Sequence, residues 1–246
     1  MLFRSPELLD WLANWFVAEG WSLKELHRLL VTSAVYTQSS AATPLGLEKD
    51  PENRLYGRAD VRRLEAESVR DALLAAGDQL DRQLGGSLLK VKNRAYFFDH
   101  TSKDLTDYTS DRRSLYLPVV RNNVYDLFQL LDYPDAAVPS GDRATTTVAP
   151  QALLMLNSDF VMQSADRLAA RLLAQEGTDA DRIGALWLRA YGRSPTAAEV
   201  SDSLRYLGEL ERALAAGQPA SAEIQRQAWN VLCHTTVAAN EFVYLR

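Results

Sequence analysis

Apolar residues recur at helical spacing near the start of the chain. The tripeptide at positions 5–7, Ser-Pro-Glu, offers an N-cap, a proline for the first turn and an early acid, a combination typical of a helix start. Apolar side chains then follow three or four positions apart, at Leu8, Leu12, Trp15 and Phe16. Ser22 and Glu25 have the spacing of a capping box, so a second helix is expected to run to about Tyr36. The N-terminal segment is therefore predicted to be a helical hairpin.

The same periodicity predicts helices over much of the remaining chain. One covers 58–80, where Arg63 and Glu67, and Glu67 and Arg70, are spaced to pair on the solvent side of the helix. Further helices are predicted over 147–174, over 179–191, from the capping box at Thr196 and Glu199 onward, and over 222–239.

The middle of the chain has no such period. Between 87 and 147, aromatic, threonine and charged residues are mixed; RRSLYLPVV is the best strand candidate and NVYDLFQLLD is a short helix candidate. The fold class is therefore predicted to be mainly α, a multi-helix domain with one long irregular loop-rich insertion containing at most one or two short strands. A single domain over 1–246 is expected, with N-terminal helices over 5–80, the loop-rich middle over 85–147 and C-terminal helices over 147–240.

The segment DRATTTVAPQALLMLN, residues 142–157, leads from the middle region into the C-terminal helices. Thr147 or a neighbour is expected to be the N-cap, and Pro150 falls in the first turn, where its missing N–H costs nothing. Leu153, Leu156 and Phe160 follow at helical spacing and are predicted to face the core. A helix start also carries free N–H groups and partial positive charge, which suit an anion.

Composition excludes several classes of function. With a net charge of -5, the chain lacks the basic surface that a nucleic-acid partner requires. The single cysteine, Cys233, excludes an internal disulfide and multi-cysteine metal sites, and without a Cys-x-x-Cys-His sequence no covalent c-type haem is expected on this chain. No apolar run reaches the ~18 residues of a membrane span, and no signal-peptide pattern is present.

Motifs for catalysis are absent from the sequence. His27, His100 and His234 are the only histidines, and none has the spacing of a metal site, so no metal ligand is assigned. His100, in FFDHTSKD, is the histidine best placed to touch a ligand. The chain has no nucleophile elbow and no phosphate loop, and Cys233 lies in an apolar helix where an inert thiol is expected.

Charged residues of the middle region form the candidate site. The guanidinium groups of this region could bind a carboxylate or a sulfate in bidentate fashion. Alternatively, the same arginines fasten the loops to the helices through internal ion pairs and carbonyl contacts, because a loop-rich segment must satisfy its backbone groups. The candidate ligand-binding residues are Arg112, Arg113, Arg143, Asp132, Asp135, His100, Thr147 and Asn157.

Six phrases of the sequence occur in the order that is typical of one family. They are SPELLDWLANWFVAEGWSLKELHRLLVTSAVYTQSS, DPENRLYGRADVRRLEAESVRDALLA, RRSLYLPV, TTTVAPQALLMLNSDFV, GRSPTAAE and NEFVY. Together they resemble the planctomycete-type domain of unknown function called the PSD domain. That domain lies at the C-terminal end of large exported proteins that also carry cytochrome-c-like modules.

The resemblance implies a location and partners for the protein, and it does not imply a reaction. It implies an extracytoplasmic location, haem only on a separate module, and a cytochrome-c-like module or a polysaccharide as partner. It also implies that an upstream part of the domain is missing, and it supplies no catalytic residues.

Three interpretations of the function stay open on the sequence alone. The chain is expected to be a non-catalytic accessory or binding module of a larger exported redox or polysaccharide-handling protein. It could instead be an enzyme acting on an acidic or sulfated polysaccharide with its site in the central loops, or a truncated remnant with no independent role. An open cleft lined by Arg112, Arg113, Arg143, Asp132 and His100 would favour the enzyme or a ligand site, whereas the same arginines buried in ion pairs beneath the loops would favour a scaffold.

Overall fold

A computed structural model describes residues 5–88, 108–120, 123–136, 138–217, 219 and 221–245. Within these ranges the chain forms eleven α-helices, one 3₁₀ turn at Ser114–Tyr116 and one small sheet, which confirms the mainly α class. The helices are α1 Pro6–Ala18, α2 Leu23–Val31, α3 Pro44–Lys49, α4 Ala66–Ala76, α5 Asp126–Leu130, α6 Ala149–Asn157, α7 Asp159–Leu173, α8 Asp179–Tyr191, α9 Ala197–Ala215, α10 Ala222–Ala238 and α11 Asn240–Val243. The sheet pairs β1, Arg62–Arg63, with β2, Tyr244–Leu245.

The chain divides into two compact units, Met1–Arg62 and Arg63–Leu245. The expectation of a single domain that lacks an upstream part stays a prediction.

Side-chain caps set the helix starts in the first unit. The Ser5 hydroxyl accepts from the Leu8 N–H and the Ser22 hydroxyl accepts from the Glu25 N–H, as the sequence predicts. The second helix ends at Val31 rather than near Tyr36. A short helix that the sequence analysis missed, α3, begins where the Thr43 hydroxyl accepts from the Gly46 N–H.

The core of the second unit is centred on α7 and α10. The inward face of α7 presents Val161, Ala165, Leu168 and Leu172, all fully buried at spacings of four, three and four. Trp229 and Cys233 of α10 are equally buried, and α4 adds Val69 and Leu73. Burial of each large apolar side chain contributes about 1.5–3 kcal/mol, so these three helices form the stable centre of the unit.

The predicted helix over 58–80 begins late, at Ala66. Glu65 is extended (φ −68°, ψ 154°), and the preceding β1 pairs with β2 instead of continuing a helix. The two predicted surface pairs are therefore wrong: Arg63 binds Asp132, Glu67 binds Arg143, and the Arg70 side chain is only 1% exposed.

The predicted helix over 147–174 is interrupted at Ser158. That residue is extended (φ −72°, ψ 128°) and separates α6 from α7, so the apolar stripe drawn across both helices is not continuous. Leu153 and Leu156 are 55% and 52% exposed, whereas Gln151 and Met155 are buried. The prediction that these two leucines face the core is wrong, because the register of α6 is set by its own start at Ala149.

The strand predicted for RRSLYLPVV is also wrong. A 3₁₀ turn forms there because the Ser114 N–H donates to the Asp71 carboxylate, 2.8 Å away, instead of to a neighbouring strand. The short helix predicted just after it is present as α5, and α8 and the capping box of α9 lie where the sequence places them.

Candidate functional site

Two polar networks join the middle region to α4, one at the start of this helix and one at Arg70 and Asp71 in its middle. In the first, Arg63 reaches the loop that enters α6. Its Nη2 donates to Asp132 Oδ2 at 2.6 Å and to the Leu131 carbonyl at 3.2 Å, and its Nη1 donates to the Thr146 carbonyl at 2.8 Å. The Arg63 and Asp132 side chains are 6% and 15% exposed, so this ion pair is largely shielded from water.

Asp132 is the centre of this first network. Its carboxylate accepts from the Thr146 N–H at 2.7 Å, from the Thr146 hydroxyl at 2.8 Å and from the Gln151 amide at 3.2 Å. Burial acts to raise the pKa of Asp132, but the bonds from Thr146 and Arg63 outweigh it and hold the pKa below its usual value. Its backbone is left-handed, with φ 62°, a region that few residues other than glycine adopt.

Arg143 fastens the same loop to the start of α4. Its two terminal nitrogens donate to the two carboxylate oxygens of Glu67 at 2.8 and 2.9 Å, and Glu65 lies 3.3 Å away. The guanidinium carbon also lies 5.7 Å from the centroid of the Tyr133 ring. Hydrogen bonding to Glu67 raises the pKa of Arg143, so its charge is compensated within the protein.

The second network surrounds Arg70, whose side chain is buried. Nη1 donates to the Arg112 carbonyl at 2.9 Å and to the Ser114 hydroxyl at 3.2 Å, and Nη2 donates to the Ser110 carbonyl. The Asp71 carboxylate accepts from the Ser114 hydroxyl at 2.6 Å. Burial lowers the pKa of Arg70. Arg70 thus supplies donors to two backbone carbonyls of the loop at 110–112, the buried carbonyl of Arg112 and the partly buried carbonyl of Ser110.

Arg112 binds backbone as well. Its guanidinium donates to the carbonyls of Gln83, Gly85 and Gly86 and stacks 4.2 Å above the Tyr116 ring. Gly85 and Gly86 have φ of 71° and 79°, a conformation that glycine adopts without strain, so the chain can curl around this side chain. Arg112 and Arg143 therefore bind different parts of the protein and share no partner among their observed contacts.

The other residues of the candidate set have separate positions. Arg113 and Asp135 are exposed, and Asn157 is the exposed last residue of α6. Thr147 is not the N-cap of α6, which is Val148; its hydroxyl lies 3.3 Å from the Tyr244 hydroxyl. His100 lies outside the described residues. That these residues bind a ligand stays a prediction.

Several residues of the two networks were not identified as site residues from the sequence, among them Arg63, Glu67, Arg70, Thr146 and Gln151. One of them carries a local signal. Gln151 occupies the third position of α6, where an amide can accept from the N-cap residue, and its Oε1 lies 3.4 Å from the Val148 nitrogen. The other four act through partners far away in sequence, which no local pattern indicates.

The remaining candidates for chemistry have structural surroundings. His234 Nε2 lies 3.0 Å from the Met155 carbonyl, and burial raises the pKa of Cys233. Among the described residues, no group of three or more histidine, cysteine, aspartate and glutamate side chains is arranged to hold a metal ion. Across the same part of the chain, no helix is long and apolar enough to cross a membrane.

An open cleft of about 350 Å³ lies beside the second network. One face of α7 forms a wall, and the loop at 108–111, Gln79 shortly after α4 and Tyr125 just before α5 complete it. The lining residues are Gln79, Tyr108, Thr109, Ser110, Asp111, Tyr125, Phe160, Gln163, Ser164 and Arg167.

The fold and these networks define a mainly α-helical domain whose central loops are fastened by internal arginines. The chain belongs to the PSD1 family, described as a protein of unknown function (DUF1553), whose model matches residues 3–207. This confirms the family expected from the sequence. The match ends within α9, so α10, a centre of the core, lies beyond it. No curated protein and no solved structure matches the chain.

Proposed function

We propose that this domain is a non-catalytic accessory or binding module of a larger exported redox or polysaccharide-handling protein. The observation that carries the proposal is that the central arginines bind groups of the protein itself. Arg143 is paired with Glu67 and Glu65, Arg63 is paired with Asp132, and Arg112 binds three backbone carbonyls.

Shifted pKa values give the proposal a second support. Catalytic acids and bases tend to have pKa values moved towards the working pH by burial or by like charges. Here the pKa of Asp132 is lowered by an arginine and hydrogen-bond donors, and that of Arg143 is raised by carboxylates, so both groups keep their usual charge. Such shifts are typical of structural ion pairs.

The enzyme alternative requires the candidate residues to line one cleft. The open cleft beside α7 contains none of Arg112, Arg143 and Asp132 among its described lining residues. Its only carboxylate there is Asp111, whereas glycoside hydrolysis generally uses two carboxyl groups facing each other across the substrate. The geometry thus favours binding over cleavage.

The proposal is tested by measuring binding and cleavage on the same sample. The 246-residue chain is run through native gels that contain a neutral, a carboxylated or a sulfated polysaccharide, and released reducing ends are assayed in parallel. Binding of a soluble c-type cytochrome module is measured by interferometry. We expect retention by a polysaccharide or binding of the module, without new reducing ends.

Two results would contradict the proposal. Reducing ends released in proportion to protein, and lost in Asp111→Asn, would make the domain an enzyme. Absence of retention in every gel together with no binding to the cytochrome module would remove the binding role.

A further inference from the structure

We infer that the cleft beside α7 binds a neutral saccharide unit, and that it is the ligand site of the binding module proposed above. The inference rests on that proposed function for its context and on the chemistry of the cleft for the class of ligand. None of its described lining residues belongs to the candidate set predicted from the sequence.

One face of α7 provides the longest wall of the cleft. Phe160, Gln163, Ser164 and Arg167 follow at spacings of three, one and three, which places them on one side of the helix. The Ser164 hydroxyl donates to the Phe160 carbonyl at 2.8 Å, which fixes the Ser164 side chain against its own helix. The exposed side chains of Gln163 and Arg167 extend this wall towards solvent.

The opposite side of the cleft is fixed by Arg70. This buried side chain binds the Ser110 carbonyl, and its guanidinium carbon lies 5.7 Å from the centroid of the Phe160 ring. It also interacts with Tyr125, whose pKa is raised by burial. Tyr125 stacks on Tyr108 with ring centroids 5.0 Å apart. The site is therefore largely preorganised, since both sides are tied to one buried cation.

Charge in the cleft is balanced. Arg167 Nη1 lies 3.7 Å from Asp111 Oδ2, and both side chains are about half exposed, at 51% and 48%. The amide oxygen of Gln79, when turned towards α7, accepts from the Arg167 guanidinium. A carboxylate or sulfate would have to displace Asp111 from Arg167 and then lie beside its negative charge, which disfavours an anionic ligand.

The cleft presents both aromatic and polar groups, and a sugar ring can contact both. Tyr108, Tyr125 and Phe160 line the cleft and are each partly exposed. The exposed part of such a ring can pack against the C–H face of a pyranose and exclude water. Asp111, Gln163 and Arg167 offer acceptors and donors for vicinal hydroxyls, which need both kinds of partner. A volume of about 350 Å³ is at the low end of small-molecule sites, so the cleft fits a short saccharide rather than a long chain laid along the surface.

The test uses the whole 246-residue chain labelled with ¹⁵N. Glucose, galactose, mannose and N-acetylglucosamine, and a disaccharide of each, are titrated while backbone resonances are followed. Glucose 6-sulfate is the anionic comparator. Comparing the affinities for each monosaccharide and its disaccharide distinguishes a site for a free sugar from a site for one unit of a longer glycan. We expect saturable shifts at 108–111 and 160–167 with at least one neutral sugar.

Substitutions at the cleft test whether the sugar binds there. Asp111→Asn replaces one carboxylate acceptor by an amide donor, and Gln163→Ala removes an amide that both donates and accepts. Both side chains are solvent-accessible, and each change is expected to weaken binding about tenfold, the equivalent of one good hydrogen bond. Asp202→Asn and Arg205→Gln alter an exposed pair of the same kind on α9 and are expected to leave the affinity unchanged. Unfolding midpoints of all four variants confirm that the fold is kept.

Three outcomes would overturn the inference: no saturable shift with any neutral sugar, unchanged affinity in both cleft variants, or at least tenfold tighter binding of glucose 6-sulfate that Asp111→Asn strengthens further. None of them removes the proposed function, because retention in polysaccharide gels and binding of a cytochrome module are measured separately.

Discussion

Arg63 and Asp132 are 69 positions apart in the chain, yet Nη2 of the first lies 2.6 Å from Oδ2 of the second. The pair joins β1, which precedes α4, to the turn that follows α5. Because Thr146 and Gln151 bind the same carboxylate, one aspartate also fixes the entry to α6. Loss of this carboxylate should therefore affect three segments at once.

Asp132→Ala is expected to destabilise the domain by about 3–5 kcal/mol, because it leaves the Arg63 charge buried without a partner. Asp132→Asn keeps the shape, can still accept from Thr146 and tolerates the left-handed backbone, so its cost should be smaller. Denaturant unfolding at neutral pH measures both. A control is the double variant Arg63→Gln/Asp132→Asn, which should be more stable than the sum of its single changes implies. Equal costs for the Ala and Asn variants would show that loss of the charge accounts for the whole effect, and that the shape and the acceptor kept by Asn contribute nothing.

The same pair predicts a dependence on pH. The pKa of Asp132 in the folded protein lies below its unfolded value of about 3.9, so the unfolded chain takes up the proton first as the pH falls. The stabilising contribution of Asp132 is thus present above about pH 4 and is lost as the pH falls through the folded pKa. Asp132→Asn should lose less unfolding free energy than the parent between about pH 6 and pH 3. Parallel pH profiles of the two proteins would contradict this assignment.

Arg70→Met is expected to cost about 3 kcal/mol or more. The change removes the donors for the Ser110 and Arg112 carbonyls and leaves the buried Arg112 carbonyl without this partner. Arg205→Met, at an exposed position of α9, serves as the matched control and should change stability by about 0.5 kcal/mol or less. Equilibrium unfolding compares them, and similar values for both would mean that the loop finds other donors.

Arg143 distinguishes two roles for the loop before α6. If it serves only to bind Glu67 and Glu65, Arg143→Ala should cost about 0.5–1 kcal/mol, and adding Glu67→Gln should cost little more, since the interaction is already lost. The anion-pocket hypothesis predicts instead that Arg143→Ala weakens retention by sulfated or carboxylated glycans by more than its effect on stability. Stability and gel retention measured on the same variants decide between the roles, and equal retention by mutant and parent removes the anion pocket.

The register of α6 is open to a direct test. Met155→Ala should cost about 2–5 kcal/mol because the side chain is 4% exposed, whereas Leu153→Ser should change stability by about 0.5 kcal/mol or less because that leucine is 55% exposed. Thermal or denaturant unfolding of the two variants and the parent measures both changes in stability. A larger loss from Leu153→Ser would restore the register expected from the sequence.

Local signals in the sequence predicted much of the helical framework. Ser5, Ser22 and Thr196 each bond to a backbone N–H three residues ahead, so a short window contains both partners. The break at Ser158 was missed because nothing in its neighbours forbids a continuous helix there; an extended backbone at one residue ends α6.

The site was less predictable than the helices. Sequence reasoning identified Asp132, Arg112 and Arg143 as residues of interest, but their partners are set by the folding of distant segments. Arg70 shows the difficulty most clearly, because an arginine between two acids on a helix looks like a surface residue. Its burial depends on carbonyls some forty positions later in the chain.

The backbone of Asp132 limits which residues can stand at this position of the fold. With φ 62°, a substitute has to tolerate a left-handed conformation, and it also has to accept bonds from Thr146 and Arg63. Glycine meets only the first demand and glutamate only the second, whereas asparagine comes near to both. An aspartate or asparagine at this point, with an arginine before α4, would therefore serve as a recognisable signature of this loop arrangement in sequences that have no structure.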